Sequence, residues 1–351
     1  MMQAALVGNL ENDMSVAPVS VARVSVTSSV EVSLLLPDRT LPILIESTSP
    51  GVDLVDWITT HREIRENLLR THGGILFRGF AIDSTEHFEK VIESVSVRLL
   101  DYTYRSTPRT VVSGKIYTST EYPPHQSIPL HNENSYTQNW PMKIWFFSRV
   151  CARLGGETPI ADSRRVYQSI PREVRERFAN RGVMYVRNYG SGFDLPWQEV
   201  FQTNDRAEVE SYCAASGIQI EWLADDRLRT RQVCQAVASH PVTGEMVWFN
   251  QAHLFHVSRL PAEVREAVAT IFAEEDLPRN VYYGDGSAIA PEDLDCICAA
   301  YEQEKVVFPW QAGDVLLLDN MLAAHARNPF TGKREVVVGM AEPYSEIRAR
   351  V

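Results

Sequence analysis

The chain has 351 residues, 44% of them hydrophobic and 23% charged, with a formal net charge of -11. That length buries a large core as one big domain or two medium ones. The acidic balance argues against a nucleic-acid binder, which needs a basic face to neutralise phosphate; no Lys/Arg run marks a membrane-surface patch, and no apolar run approaches the roughly 18 residues that span a bilayer.

Taken in chain order, MMQAALVGNLENDMS lacks a basic region and is interrupted by Glu11 and Asp13, so no secretory leader is expected. Residues 1–35 are rich in Val, Ser and Ala and are expected to be flexible or to supply an edge strand. A helix is predicted from about Asp53 to Arg70, ended by His72-Gly73-Gly74, and GILFRGF then reads as a buried strand. Asp83-Ser84-Thr85-Glu86 has the spacing of a capping box opening the helix EHFEKVIESV. Beyond Asp101, KIWFFSRV, VMYVRNYG, EMVWFN, KVVFPW, DVLLLDN and REVVVGM are short, aromatic and β-branched, with Gly, Pro and Asn turns between them. Pro171, Pro261 and Pro291 suit the first turn of three interspersed helices. Many strands that do not alternate regularly with helices point to a β-barrel or jelly roll with flanking helices. Residues 36–351 read as one domain, with a lid-like insertion around 189–246. Five cysteines, Cys151, Cys213, Cys234, Cys296 and Cys298, form an odd set without a CxxC pair and read as reduced thiols of a cytoplasmic protein.

The stretch LHNENSY carries the chemistry. On a strand, residues i and i+2 share a face, so His131 and Glu133 are expected to project together. On spacing alone, a polar strand that binds nothing is the favoured reading of such a pair. A third piece changes this: DVLLLDNMLAAHARNPFTGKREVVVGM supplies His325 after a strand and a turn, with Arg334 beyond it. Two imidazoles and one carboxylate from separated segments make the facial triad of non-haem iron(II) oxygenases, which leaves coordination positions open for a chelating cosubstrate and dioxygen. His253 and His256 in AHLFH have HxxH spacing, whereas a zinc hydrolase prefers HExxH on a helix; that pair is read as structural. Nothing matches GxSxG, a P-loop or a dinucleotide-binding glycine fingerprint.

LHNENSYTQNWPMKIWFF, LGGETPIADSRRVY, VWFNQAHLFHVSRLP and LLLDNMLAAHARNPFTGKR, in that order, resemble the taurine dioxygenase (TauD/TfdA) family of iron(II)/2-oxoglutarate-dependent oxygenases. They are most similar to the branch that includes the aspartyl hydroxylase of syringomycin biosynthesis, with clavaminate synthase more distant; the resemblance runs from about Gly74 to the end. It implies a mainly β fold, a double-stranded β-helix of the clavaminate synthase-like kind, binding Fe(II) through His131, Glu133 and His325. It also implies that Thr158 in GGET and Arg334 hold the far carboxylate of 2-oxoglutarate, a task for which a guanidinium and a hydroxyl are chemically suited. Two positions depart from the family: where taurine dioxygenase has a substrate-binding arginine this chain has Val338, which disfavours a small sulfonate, and Glu335 follows Arg334 where relatives are usually basic.

The resemblance further implies hydroxylation of an unactivated C–H bond in a small amino-acid-like or carrier-tethered substrate of natural-product metabolism. Desaturation, epoxidation or cyclisation by the same chemistry, or a catalytically silent jelly-roll binding protein, are the alternatives. Related halogenases leave a small residue at the carboxylate position, so Glu133 disfavours halogenation. Asn250 and Arg327 are expected near pocket edges; Arg231, beside Arg229 in LRTRQ, either meets an anionic substrate or lies on a solvated strand face, the reading favoured for it. The expected partners are a small molecule, dioxygen and a carrier protein, with a homo-oligomer compatible and neither nucleic acid nor membrane involved.

Overall fold

The computed structural model describes residues 23–96, 99–100, 111–118 and 122–345, so the expectation for residues 1–35 lies outside it as far as residue 22. Its strands are β1 (Val24–Thr27), β2 (Val30–Leu36), β3 (Arg39–Ser47), β4 (Gly74–Arg78), β5 (Val111–Ser113), β6 (Ile116–Thr118), β7 (Ile128–His131), β8 (Asn139–Val150), β9 (Leu154–Gly155) and β10 (Ile160–Asp162). They continue with β11 (Val183–Tyr189), β12 (Gln219–Trp222), β13 (Leu228–Cys234), β14 (Val237–Ser239), β15 (Met246–Trp248), β16 (Arg279–Tyr283), β17 (Val315–Asp319), β18 (Ala323–Arg327), β19 (Phe330–Thr331) and β20 (Glu335–Ser345). Nine form a large sheet in the order β1-β2-β3-β4-β17-β8-β20-β6-β5, and β10-β18-β7 form a small one. All pairings are antiparallel except β3 with β4.

The two faces of the large sheet are both buried, which is why its central strands carry unbroken apolar runs, VLLL in β17, IWFF in β8 and VVV in β20. Leu316, Leu318, Ile144, Phe146, Val336 and Val338 pack with Ile160 and Ala323 of the small sheet, so the two sheets share one core. The alternate residues Val315, Leu317, Trp145, Phe147 and Val337 pack instead with Leu54, Ile58, Leu69, Phe88 and Ile92 from the helices Leu54–Thr60, Arg62–His72 and Thr85–Val95. This is a jelly roll with flanking helices. A third core lies beneath the four-stranded sheet β12-β13-β11-β16, where Tyr185, Val281 and Leu228 meet the helices Arg172–Arg181 and Pro291–Glu304 through Phe178, Leu294 and Ile297.

Local differences from the sequence reading have physical causes. The helix predicted over 53–70 is two helices, because His61 departs from helical geometry at φ -106° and ψ 39°. Ser84, not Asp83, caps the helix Thr85–Val95, accepting from His87 N–H at 3.1 Å. KVVFPW forms no strand: Val306 makes one isolated bridge to Ile160 and the chain then runs on without a ladder.

Candidate active site

The register of the small sheet builds the centre. His131 on β7 and His325 on β18 are direct cross-strand partners, and residues so paired project to one face with neighbouring Cβ atoms. Their ring centroids lie 4.5 Å apart, with the Phe146 ring 5.1 Å from His325 as the wall supplied by the large sheet. His131 Nδ1 sits 2.8 Å from Pro129 O. A carbonyl can only accept, so Nδ1 carries the hydrogen and Nε2 presents its lone pair.

Glu133 does not share a strand with His131. β7 ends at His131, and Glu133 begins a turn in which Asn134 adopts φ 57°. The carboxylate nevertheless reaches the histidines: Glu133 Oε2 is 3.7 Å from His325 Nε2. One ligand atom from each of His131, Glu133 and His325 lies within 4.8 Å of the other two, and no other group of three or more His, Cys, Asp or Glu among the described residues is so placed. Two imidazole nitrogens and one carboxylate oxygen at that spacing fit a six-coordinate divalent metal bound on one face.

Thr158 and Arg334 meet beside this cluster. Ala326 N–H, next to His325, donates to Pro159 O at 2.8 Å, which ties the segment after Thr158 to β18. Arg334 Nε donates to Gly156 O at 2.8 Å and Nη2 to Thr158 Oγ1 at 3.4 Å. The GG of GGET is there for space. A Cβ on Gly155 would lie 2.2 Å from Pro329 O, and one on Gly156, at φ 77°, would lie 3.0 Å from Arg334 Cδ. Burial, with Arg327 nearby, pushes the Arg334 guanidinium down to about 10. It stays protonated at neutral pH, a cation held where an incoming carboxylate is strongly favoured.

The residues expected near substrate are engaged as follows. Asn250 is fully buried; its amide donates to Ala236 O at 2.7 Å and accepts from Ala252 N–H, at the start of the short helix Ala252–Phe255, at 3.0 Å. Arg327 donates to the carbonyls of Tyr122, Pro123 and Gln126 at 2.7–2.9 Å, so it holds the approach to β7. Arg231 lies on β13 with its side chain 37% exposed, 3.2 Å from Glu221, while the buried Arg229 meets Asn188 and Asp276. Val338 is buried between the sheets, and Glu335 pairs with Arg149 and Lys333. His253 Nε2 donates to Leu130 O at 2.8 Å; burial lowers its pKa to about 4, so it is neutral.

Three residues were missed by sequence reasoning. Asn320 and Gln251 grip the main chain around Glu133, and Trp310 Nε1 donates to Thr158 Oγ1 at 3.1 Å. Only the Asp-Asn pair at the end of β17 hints at a shaped turn.

A sequence model of the Taurine catabolism dioxygenase TauD, TfdA family matches residues 38–340. The chain belongs to that family. It is therefore an Fe(II)- and 2-oxoglutarate-dependent dioxygenase, which acts on small molecules with dioxygen. Dapdiamide synthesis protein DdaC of Enterobacter agglomerans is 43% identical over 289 residues, 82% of this chain and 88% of DdaC. A clavaminate synthase-like protein of Arabidopsis thaliana is 31% identical over 334 residues, 91% of this chain and 93% of that protein. The fold is that of PvcB from Pseudomonas aeruginosa, an Fe, alpha-ketoglutarate dependent oxygenase from an isonitrile synthetic pathway, with TM-score 0.53 at 14% identity over 93% of this chain and 97% of PvcB. No helix among the described residues of this TauD/TfdA-family enzyme is long and apolar enough to cross a membrane.

Proposed function

We propose that this dioxygenase hydroxylates an unactivated C–H bond of a small amino-acid-like substrate, free or tethered to a carrier protein, in cytoplasmic natural-product metabolism. His131, Glu133 and His325 hold Fe(II), and Thr158 with Arg334 holds the far carboxylate of 2-oxoglutarate. The observation that carries this reading is the convergence of His131, Glu133 and His325 within 4.8 Å beside the Thr158–Arg334 pair. The choice of substrate class is supported by the 43% identity to a dapdiamide synthesis protein.

When bound, Fe(II) with 2-oxoglutarate supplies the oxidising power. The chain's residues orient and enclose. Pro129 O fixes the His131 tautomer at 2.8 Å. Arg334 and Thr158 pair with a carboxylate and thereby set the cosubstrate's direction. Phe146 and the apolar layer between the sheets keep water from the face behind His325. Glu133 fills the carboxylate position, which favours hydroxylation over halogenation. Residues 36–351 act as one oxygenase domain in which the 189–246 segment forms the substrate wall, clasped by Asp194 to Arg279 and by Trp197 Nε1 to Asp226 O at 3.0 Å.

Anaerobic protein mixed with Fe(II) and 2-oxoglutarate should develop the visible charge-transfer band of the chelate, and Glu133→Ala should remain folded but lose turnover. A folded protein without the band at saturating ligand, or retained turnover in Glu133→Ala, would falsify the ligand assignment. Succinate release assayed across free amino acids and their carrier-bound thioesters identifies the acceptor; release stimulated by neither removes the proposed substrate class.

A further inference from the structure

We infer that Asn320 is the positioning residue that sets Glu133 against His325, working with Gln251 and His253 as a side-chain clamp on residues 130–133. This rests on reading His131, Glu133 and His325 as the metal ligands. Because β7 ends at His131, no strand ladder fixes the chain where Glu133 leaves it. Side chains do so instead. His253 Nε2 donates to Leu130 O at 2.8 Å and Gln251 Nε2 to Asn132 O at 2.8 Å.

Asn320 does the most. Its Oδ1 accepts Glu133 N–H at 2.7 Å, and its Nδ2 donates to Glu133 O and Pro141 O, both at 2.9 Å. Asn132 answers from the other side: its Nδ2 donates to Asn320 O at 2.7 Å and to Ser163 Oγ at 3.0 Å. Both asparagines are wholly buried. Only an amide offers one acceptor and two donor hydrogens on a rigid plane, and Asn320 uses all three on main-chain groups, two of them Glu133's own and the third Pro141 O on β8.

Asn320 belongs to the other arm. It lies in the connection from β17 to β18, five residues before His325. That connection is itself held: Asp319 Oδ1 accepts Met321 N–H and Leu322 N–H at 3.0 and 3.1 Å, and its Oδ2 lies 3.0 Å from His240 Nε2. His240 Nδ1 accepts from Val242 and Thr243 N–H, so Nε2 carries the hydrogen and Asp319 receives it. One side chain thus joins the turn bearing Glu133 to the turn leading to His325, and it acts before any metal arrives.

The test is a Co(II) titration of the full chain, read by visible ligand-field absorption and by competition for the dissociation constant, with circular dichroism and thermal unfolding in parallel. Asn320→Asp keeps shape and the acceptor facing Glu133 N–H but removes both donors. Its added negative charge would by itself tighten cation binding, so weaker binding has to come from lost positioning. The expected result is a ten- to hundredfold higher Co(II) dissociation constant and a changed ligand-field spectrum with secondary structure retained. Gln251→Ala, which leaves Asn320 in place, is expected to raise the constant about threefold and covers the case in which Asn320→Asp fails to fold. Wild-type affinity and spectrum in Asn320→Asp, with only a lowered melting temperature, overturn the inference; if that variant does not fold, unchanged affinity in Gln251→Ala overturns it. Failure of the wild-type chain to bind Co(II), or binding unaffected by His325→Ala, instead overturns the ligand reading underneath.

Discussion

The Thr158 hydroxyl oxygen receives Trp310 Nε1 at 3.1 Å and Arg334 Nη2 at 3.4 Å. With both lone pairs so occupied, its single hydrogen is left to be donated, which suits the role proposed above of binding the far carboxylate of 2-oxoglutarate. Trp310→Phe removes one of those donors and keeps most of the ring. It is expected to raise the KM for 2-oxoglutarate about three- to tenfold, roughly the worth of one hydrogen bond, and to leave kcat near wild type; steady-state kinetics of succinate release check this, and an unchanged KM argues that the hydroxyl is oriented otherwise. At this scale the sequence is legible where a side chain carries its own chemistry. His131, Glu133 and His325 stand out by residue type and spacing, whereas Thr158 and Arg334 are marked only by the family resemblance; the structure brings the first three within 4.8 Å of one another and joins the last two to each other. Asn320 and Gln251 do not stand out, and Asn250 stood out only as a pocket-edge residue, because an amide declares its role only through the main-chain group it meets, which folding decides.

Elements were legible where one force dominates. Leu316 and Leu317 in VLLLD serve opposite faces of the large sheet, and a run buried on both faces reads as strand without alternation. KVVFPW is also rich in apolar residues, but only Val306 finds a partner, since β10 begins at Ile160 and offers no ladder before it. The expectation of a strand for Glu133 stumbled on Asn134, whose left-handed φ of 57° turns the chain one residue after the carboxylate. The Gly190–Pro196 stretch is held by the Asp194–Arg279 pair, with Phe193 against the Phe272 ring and Leu195 against the core. Burial would raise the Asp194 carboxyl, but hydrogen bonds and charge from Arg279, with Arg187 adding to them, hold it below the usual range. Asp194→Asn is therefore expected to cost roughly 1–3 kcal/mol, between exposed and buried ion pairs because Arg279 is partly solvated. The same change should open 190–196 to limited proteolysis; an unchanged cleavage pattern and melting temperature count against the clasp.

Across the whole molecule, many short strands and scattered helices indicated a jelly roll, whereas the strand order did not follow from sequence, because β17 inserts between β4 and β8 through contacts far apart in the chain. The proposed metal ties together two segments almost two hundred residues apart, so its removal should be felt globally. At about a hundredfold excess over the dissociation constant, Fe(II) or Co(II) contributes about 2.7 kcal/mol, and a chelator should lower the melting temperature by roughly 2–4 °C. His325→Ala separates this from general attraction of cations to a chain of net charge -11; an equal chelator effect in that variant would rule out the site as its source. Arg327 adds a different consequence at this scale. It anchors Tyr122, Pro123 and Gln126 through their carbonyls and adds a ring contact to Tyr122 at 5.9 Å, while the side chains of 122–127 are exposed. Backbone anchoring is indifferent to side-chain identity, so the positions after Tyr122 in this stretch can diversify among descendants, or in a mutant library, without loosening the histidine that follows it.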